Sequence, residues 1–190
     1  MKKITVGVTG ATGAMLAQRF IKTLLESGHE AHVVMSENAV YVFQEELGIS
    51  NLSEHYKNHK NLHIYPAHDF AAKISSGSQP MDAIVIIPCS MSTVGAIANG
   101  ITINLIHRAA SVAIKERRQL ILVPRESPLS PIHLKNMQYL AEIGVSIVPA
   151  TTAFYHKPKT IEDIVDFTLG RVLDLLKIEH TLFKRWKEGN

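Results

Sequence analysis

Short runs of apolar, mostly β-branched residues alternate with longer amphipathic segments along this chain. Runs that are apolar at consecutive positions are typical of strands covered on both faces of a sheet. The longer segments repeat apolar residues at helical spacing. The pattern predicts strands at 4–9, 31–35, 83–87, 120–123 and 145–148, and helices after the turn 10–13 to about 27, then at 36–47, 93–98, 104–117, 130–143 and from 160 onward.

Several boundaries are predicted by residues that end or begin helices. Gly28 suits a helix end that needs a left-handed backbone, Ser130-Pro131 combines an N-cap with a proline in the first turn, and Thr160 is expected to cap the last helix. The segment 48–68 is polar and rich in Asn, His and Lys, and no element is assigned to it.

The alternation of strands and helices predicts an α/β protein with one doubly wound, Rossmann-like (flavodoxin-like) parallel sheet and helices on both of its faces. No repeat or linker interrupts the pattern, so residues 1–190 are expected to form a single domain. Ligands of such sheets bind at the carboxyl ends of the strands, near the point where the strand order reverses.

Composition narrows the function only a little. Of the 190 residues 46% are hydrophobic and 19% charged, and the net charge of +3 gives no reason to expect a nucleic acid partner. Cys89 is the single cysteine, so no internal disulfide can form, and no apolar run is long enough to cross a membrane. A cytoplasmic protein is expected.

A glycine-rich turn follows the first predicted strand. Gly7, Gly10 and Gly13 have the spacing G-x-x-G-x-x-G, which differs from the G-x-G-x-x-G of dinucleotide sites. Such a turn suits either a plain strand-to-helix connection or the approach of a ligand to backbone N–H groups. Ser36 ends the second strand, where a nicotinamide enzyme usually has an acid; because Glu37 follows directly, NAD is disfavoured and not excluded.

Hydroxyl groups cluster around the third predicted strand. Residues 75–78 read Ser-Ser-Gly-Ser before it, and Ser90, Met91, Ser92 and Thr93 follow it at a predicted helix start, an arrangement that can bind an anion. Cys89 has no partner base nearby and is expected to pack as a small apolar group.

Cations occur where apolar residues dominate. Arg108, Ser111 and Lys115 share one face of a mostly apolar predicted helix, and a buried cation there needs either an internal carboxylate or a bound phosphate as its partner. Arg125 and Glu126 follow the fourth strand at the expected ligand edge.

The last predicted helix carries a buried stripe and a polar face. Arg171 lies at the edge of the stripe, and Asp163, Asp166 and Asp174 are predicted to point into solvent, so no metal site is expected there. The ten histidines have no H-E-x-x-H or similar spacing and are expected mostly at the surface. The predicted stripe is Ile161, Val165, Thr168, Val172 and Leu176.

Taken in this order, the clusters resemble the flavin prenyltransferase (UbiX-type) family, formerly described as subunits of aromatic-acid decarboxylases. The resemblance covers nearly the whole chain and is weakest at 48–68. Its most specific parts are Gly10-Ala11-Thr12-Gly13-Ala14, Ile74-Ser75-Ser76-Gly77-Ser78, Pro88-Cys89-Ser90-Met91, Arg108-Ala109-Ala110, Lys115-Glu116-Arg117, Pro124-Arg125-Glu126, Ala153-Phe154-Tyr155-His156 and Gly170-Arg171-Val172-Leu173-Asp174.

The resemblance implies a role for each matching position. Glu46 and Glu126 match acidic residues near the reacting centre, and Arg108 and Trp186 match a family arginine and a tail tryptophan. The implied FMN contacts are Gly10, Ala11, Thr12, Ser36, Ser90, Met91, Ser92, Thr93 and Arg125, and the implied contacts to the substrate phosphate are Lys115, Arg125, Tyr155 and Arg171. Three positions depart from common family residues: Thr12 replaces serine, Gln79 an aromatic residue and Ser92 a basic one.

The resemblance also implies an activity. It is the metal-independent transfer of a dimethylallyl group from dimethylallyl phosphate to N5 and C6 of reduced FMN. The product, prenylated FMN, serves a UbiD-type decarboxylase. Family members form dodecamers with sites between subunits, and the tail, about 177–190, is expected to pack on a neighbouring subunit or over the site. Two alternatives stay open: an FMN-dependent cysteine decarboxylase, and a non-catalytic FMN-binding subunit of a decarboxylase complex.

Overall fold

One parallel sheet organises the chain. In the computed structural model, which describes residues 1–57 and 59–186, six strands lie in the order β3-β2-β1-β4-β5-β6. They are β1 (Lys3–Val8), β2 (Glu30–Met35), β3 (Leu62–Tyr65), β4 (Ala83–Cys89), β5 (Gln119–Pro124) and β6 (Ser146–Ile147). This is the Rossmann strand order, in which the direction of winding reverses between β1 and β4.

Helices cover both faces of the sheet. The helices are α1 (Ala14–Glu26), α2 (Glu37–Leu47), α3 (Leu52–His55), α4 (Met91–Ala98), α5 (Leu105–Lys115), α6 (Pro131–Glu142) and α7 (Ile161–Leu175), with a 3₁₀ turn at Lys73–Ser75. Phe20, Phe43 and Leu169 place α1, α2 and α7 in one core cluster, whereas Val94 and Leu140 place α4 and α6 with α5 in the other. The predicted single-domain, doubly wound fold is confirmed.

The sequence pattern missed one strand. β3 lies in the polar segment 48–68 and forms one edge of the sheet, paired only with β2 among the described strands. Its two central residues, His63 and Ile64, are exposed. A short edge strand that buries little surface does not need a run of apolar residues, so the sequence pattern does not predict it.

Two predictions for α7 were wrong. Ile161 is 66% exposed, because it is the first residue of the helix and the buried residues of α7 begin only at Val165. Asp166 is 7% exposed and accepts two hydrogen bonds from Arg19 of α1, of which Nη2 to Oδ2 measures 2.6 Å. Asp174 is also partly buried, at 20% side-chain exposure. Helical phase places these carboxylates off the apolar stripe but cannot show that α1 and the tail bring cations to them.

Within the described ranges, no helix combines the length and apolar character needed to span a bilayer.

Candidate active site

The loops after β1 and β4 are joined where the strand order reverses. The Thr9 hydroxyl donates to the Pro88 carbonyl at 2.9 Å and accepts from the Ser90 backbone N–H at 2.7 Å. Thr9 is 3% exposed, so these bonds are held out of water. Sequence reasoning missed this role, although a hydroxyl at the last position of an apolar strand is a signal for it. Thr9 thereby fixes the two predicted ligand loops relative to each other.

Glycine is required at two positions of the first loop. A Cβ on Gly10 would lie 2.4 Å from the Cβ of Asn38 on α2, so only glycine permits this close approach. Gly13 has φ of +112° and is the N-cap of α1, with no side chain of its own to cap the helix. The segment from Gly10 to Thr12 therefore keeps its backbone tight against α2 at the edge of the sheet.

Glu46 supplies the cap that Gly13 lacks. Its carboxylate, in the last turn of α2, accepts from the backbone N–H of Gly13 at 3.0 Å and of Ala14 at 2.8 Å. The Thr12 hydroxyl donates to the same carboxylate. A negative charge is favoured at a helix N-terminus because the free N–H groups and the dipole are positive there. The predicted acid Glu46 and the predicted FMN contact Thr12 are thus brought together.

The second loop is a chain of hydroxyl groups. Ser90 caps α4, and its Oγ lies 3.0 Å from both Ser92 Oγ and Thr93 Oγ1. Met91 and Thr93 are buried and Ser92 is exposed. The predicted contacts of this loop therefore differ in access, with Ser92 the most open to a ligand.

Ser36 occupies the equivalent position after β2. Its backbone N–H donates to the Val8 carbonyl at 2.9 Å, and its hydroxyl accepts from Ala39 N–H at 3.2 Å. Ser36 caps α2 as Ser90 caps α4, so two serine-capped helix N-termini face the same edge of the sheet.

Arg125 lines a cavity of about 280 Å³ with Thr12 and Gly13. Its backbone N–H donates to the Cys89 carbonyl at 3.3 Å, which fixes the start of the loop after β5. The Nε of Arg125 is buried and has no hydrogen-bond partner in the described part of the chain. A buried guanidinium N–H beside an open cavity fits an anionic or carbonyl ligand, since an unsatisfied buried donor costs free energy.

Neither Glu126 nor Cys89 lines this cavity, and the two do not form a reactive pair. Glu126 is exposed, and its Oε1 accepts from the Ser127 N–H at 3.1 Å. Cys89 is fully buried in the core, and burial raises the pKa of its thiol. The cysteine packs as a small apolar side chain, as its sequence context predicts.

Tyr155 and Arg171 lie along the outer side of α7. The Tyr155 ring is 5.7 Å from that of Phe167 and 5.2 Å from that of Trp186, both in edge-on contact. Arg171, one turn beyond Phe167, donates to Asp174 at 2.8 Å and remains 52% exposed. Neither Tyr155 nor Arg171 lines the cavity at Arg125.

The described part of the tail packs on its own subunit. Arg185 donates to Asp174 at 2.7 Å, and a Cβ on Gly170 would collide with the Phe183 ring, so glycine makes room for it. Trp186 reaches Tyr155. The part of the predicted tail at 187–190 lies outside the described residues.

Lys115 and Arg108 belong to α5, which packs in the opposite core cluster from α7. Arg108 Nε donates to the Ser75 carbonyl at 3.0 Å, and Lys115 Nζ lies 2.6 Å from Glu116. Lys115 ends α5 just before β5, whereas Arg125 follows β5, and the six residues of that strand span about 20 Å. Within one subunit, Lys115 and Arg125 therefore lie at opposite ends of β5.

A nucleotide-binding flavoprotein is the class that this edge of the sheet indicates. The Flavoprotein family model matches residues 1–173. A flavin prenyltransferase UbiX of Alkalihalophilus pseudofirmus is 45% identical, with 98% of this chain and 97% of the relative covered.

Two solved UbiX structures are similar to this chain in both fold and sequence. The crystal structure of AnUbiX in complex with FMN and dimethylallyl pyrophosphate is 40% identical with a TM-score of 0.93, covering 100% of this chain and 99% of that one. A dodecameric FMN-dependent UbiX-like decarboxylase from Escherichia coli O157:H7 is 43% identical with a TM-score of 0.92, covering 98% of this chain and 100% of that one. The chain belongs to the flavin prenyltransferase (UbiX) family of flavoproteins.

Proposed function

We propose that this protein transfers a dimethylallyl group from dimethylallyl phosphate to N5 and C6 of reduced FMN. The observation that carries the proposal is the buried, unpartnered Nε of Arg125, beside the glycine turn and the Thr12–Glu46 pair. The family relationship and the FMN and dimethylallyl pyrophosphate bound to AnUbiX support the same function.

The loops at the switch point fit FMN. Gly10 lacks a side chain where one would collide with α2, and Ser36 and Ser90 place hydroxyl groups and helix N-termini at the same edge. Arg125 adds a fixed positive charge. The residues that would hold FMN are Gly10, Ala11, Thr12, Ser36, Ser90, Met91, Ser92, Thr93 and Arg125.

We propose that the substrate phosphate is bound by residues from more than one subunit. Arg125, Tyr155 and Arg171 would come from one or two subunits, and Lys115 from a neighbour, because Lys115 lies at the opposite end of β5 from Arg125. Arg171 still has exposed N–H groups beyond its bond to Asp174. We propose a homo-oligomer, a dodecamer by analogy with the E. coli relative, in which such a shared site forms.

These residues can promote the reaction without a metal ion. Cleavage of the allylic C–O bond places negative charge on the leaving phosphate, and cations fixed in advance stabilise that charge as it develops. Bound reduced FMN supplies N5 and C6 as the positions that form the new bonds. Glu46, already hydrogen-bonded by Thr12, and Glu126 would accept and return the protons released as those bonds form.

The product, prenylated FMN, would serve a UbiD-type decarboxylase, and we place the enzyme in the cytoplasm. An FMN-dependent cysteine decarboxylase is less well supported, since a relative that is matched over 97% of its length is named a flavin prenyltransferase. A non-catalytic FMN carrier would need no cation set for a second phosphate.

Mass spectrometry of the flavin tests the activity directly. The protein is incubated without oxygen with reduced FMN and dimethylallyl phosphate, with and without EDTA, and the flavin is expected to gain the mass of one prenyl group in both cases. An unchanged flavin, or release of CO₂ from a cysteine-ended peptide instead, would refute the proposal.

Mixing two inactive variants tests the shared site. Lys115→Ala and Arg125→Ala should each lower turnover by roughly 10²–10³-fold. When the two are dissociated and reassembled together, some sites regain both residues and activity should return. If each site is built within one subunit, the mixed oligomer will be as inactive as its parts.

A further inference from the structure

Three side chains that can bind a metal ion meet at the outer edge of the sheet. β2 and β3 pair in parallel with His32 directly opposite His63, and Glu30, two residues before His32, points to the same face. One ligand atom from each of the three lies within 4.8 Å of the other two. The three residues do not have the sequence spacing of a helical metal motif, because two of them lie two positions apart on β2 and the third lies on the paired strand β3.

We propose that Glu30, His32 and His63 form a binding site for one Zn²⁺ ion that joins the edge strand β3 to β2. Two imidazoles and one carboxylate are ligands that zinc accepts, and three protein ligands leave a position for water.

The separation of the first two ligands matches zinc. Nε2 of His32 lies 3.3 Å from Oε2 of Glu30, and tetrahedral zinc with bonds of about 2.0–2.1 Å has ligands roughly 3.3 Å apart. The His63 ring stacks on that of His32, with centroids 4.7 Å apart and 22° between the planes. His63 must turn to direct a nitrogen at the ion, and its exposed position on the edge strand leaves room for this.

Tyr65 prepares His32 for this role. Its hydroxyl lies 2.9 Å from Nδ1 of His32, and a hydrogen bond from Nδ1–H to an outer oxygen leaves Nε2 free to bind a metal. Without zinc, Tyr65 can donate to Nδ1 and Nε2–H can donate to Glu30, so the free site is also satisfied.

One neighbouring charge opposes the ion. Lys3 Nζ lies 3.6 Å from Oε2 of Glu30 and is 43% exposed, so it can swing into solvent when zinc binds. The site is also separate from the proposed flavin site, because His32 precedes Ser36 by four positions along β2, about 13 Å.

Titration of the untagged, chelator-treated protein with ZnCl₂ tests the proposal by calorimetry, with Co²⁺ absorption as a second probe. One ion per subunit is expected. Glu30→Gln and His63→Ala should each weaken binding at least 10-fold, and Tyr65→Phe by about 10-fold. His68→Ala is the matched control, since His68 is an exposed histidine beside Glu37, and it should bind as the parent does.

Two results would overturn the site: a stoichiometry well below one, or His63→Ala binding zinc as tightly as the parent. Thermal melts of the variants without metal establish that each is folded. Because these measurements do not use flavin, their failure would leave the proposed prenyl transfer untouched.

Discussion

The ion pair between α1 and α7 gives a prediction whose size follows from the structure. Arg19→Met removes both hydrogen bonds to Asp166 and leaves a carboxylate that is only 10% exposed without its cation. Breaking a buried pair typically costs ~3–5 kcal/mol. Because Arg19 is itself 31% exposed, water screens part of the interaction, and we expect a loss at the lower end, about 3 kcal/mol.

A loss of this size is measurable. For a chain of this length each kcal/mol shifts the melting temperature by ~2–4 °C, so Arg19→Met should melt roughly 6–12 °C below the parent. Circular dichroism at one fixed protein concentration is the assay, since oligomers melt at concentration-dependent temperatures. The cavity at Arg125 is lined by both helices, so FMN affinity should fall together with stability.

The matched control is Lys22→Met, on the same helix. Lys22 pairs with Glu26 at 3.8 Å with both side chains at least half exposed, and such surface changes usually stay within ~0.5 kcal/mol. The double variant Arg19→Met with Asp166→Leu should recover part of the loss, because no carboxylate is left unpaired. Equal melting of Arg19→Met and Lys22→Met would show that the pair contributes nothing and refute the reasoning.

Three further changes have expected outcomes. The pKa of Asp174 is lowered, first of all by hydrogen bonds from Arg185, so this carboxylate stabilises the fold while it is ionised. At pH 7 the parent should therefore unfold at a higher urea concentration than Asp174→Asn, and the difference between the two midpoints should close as the pH falls below about 4. A difference that does not depend on pH would contradict this. Gly10→Ala forces its Cβ against Asn38, so it should lower the free energy of unfolding by ~1–3 kcal/mol and weaken FMN binding in a fluorescence titration. Unchanged stability and FMN affinity would show that α2 moves aside freely. Gln79→Phe should raise prenyl transfer if this position lines the prenyl pocket, and single-turnover kinetics equal to the parent would exclude that contact.

The sequence alone determined the architecture and the edge of the sheet where ligands bind. A strand covered on both faces of a sheet is mostly apolar, so five of the six strands lie within apolar runs of the sequence. Caps are local as well: Ser130 and Thr160 each form the hydrogen bond to the third helical residue that their positions predict. Gly10 and Ser36 follow their strands directly, so chain order is enough to place them at one edge.

The tertiary structure decided everything that depends on which elements become neighbours. Helical phase gave Asp166 a direction relative to its own axis, yet Arg19, far away in sequence, makes it a buried partner. Glu46 caps α1 only because α2 ends beside Gly13. The Lys115–Arg125 separation and the approach of His63 to His32 likewise arise from strand length and strand pairing. A one-dimensional pattern records how each segment meets water, whereas charges and ligands respond to distances between segments that only packing sets.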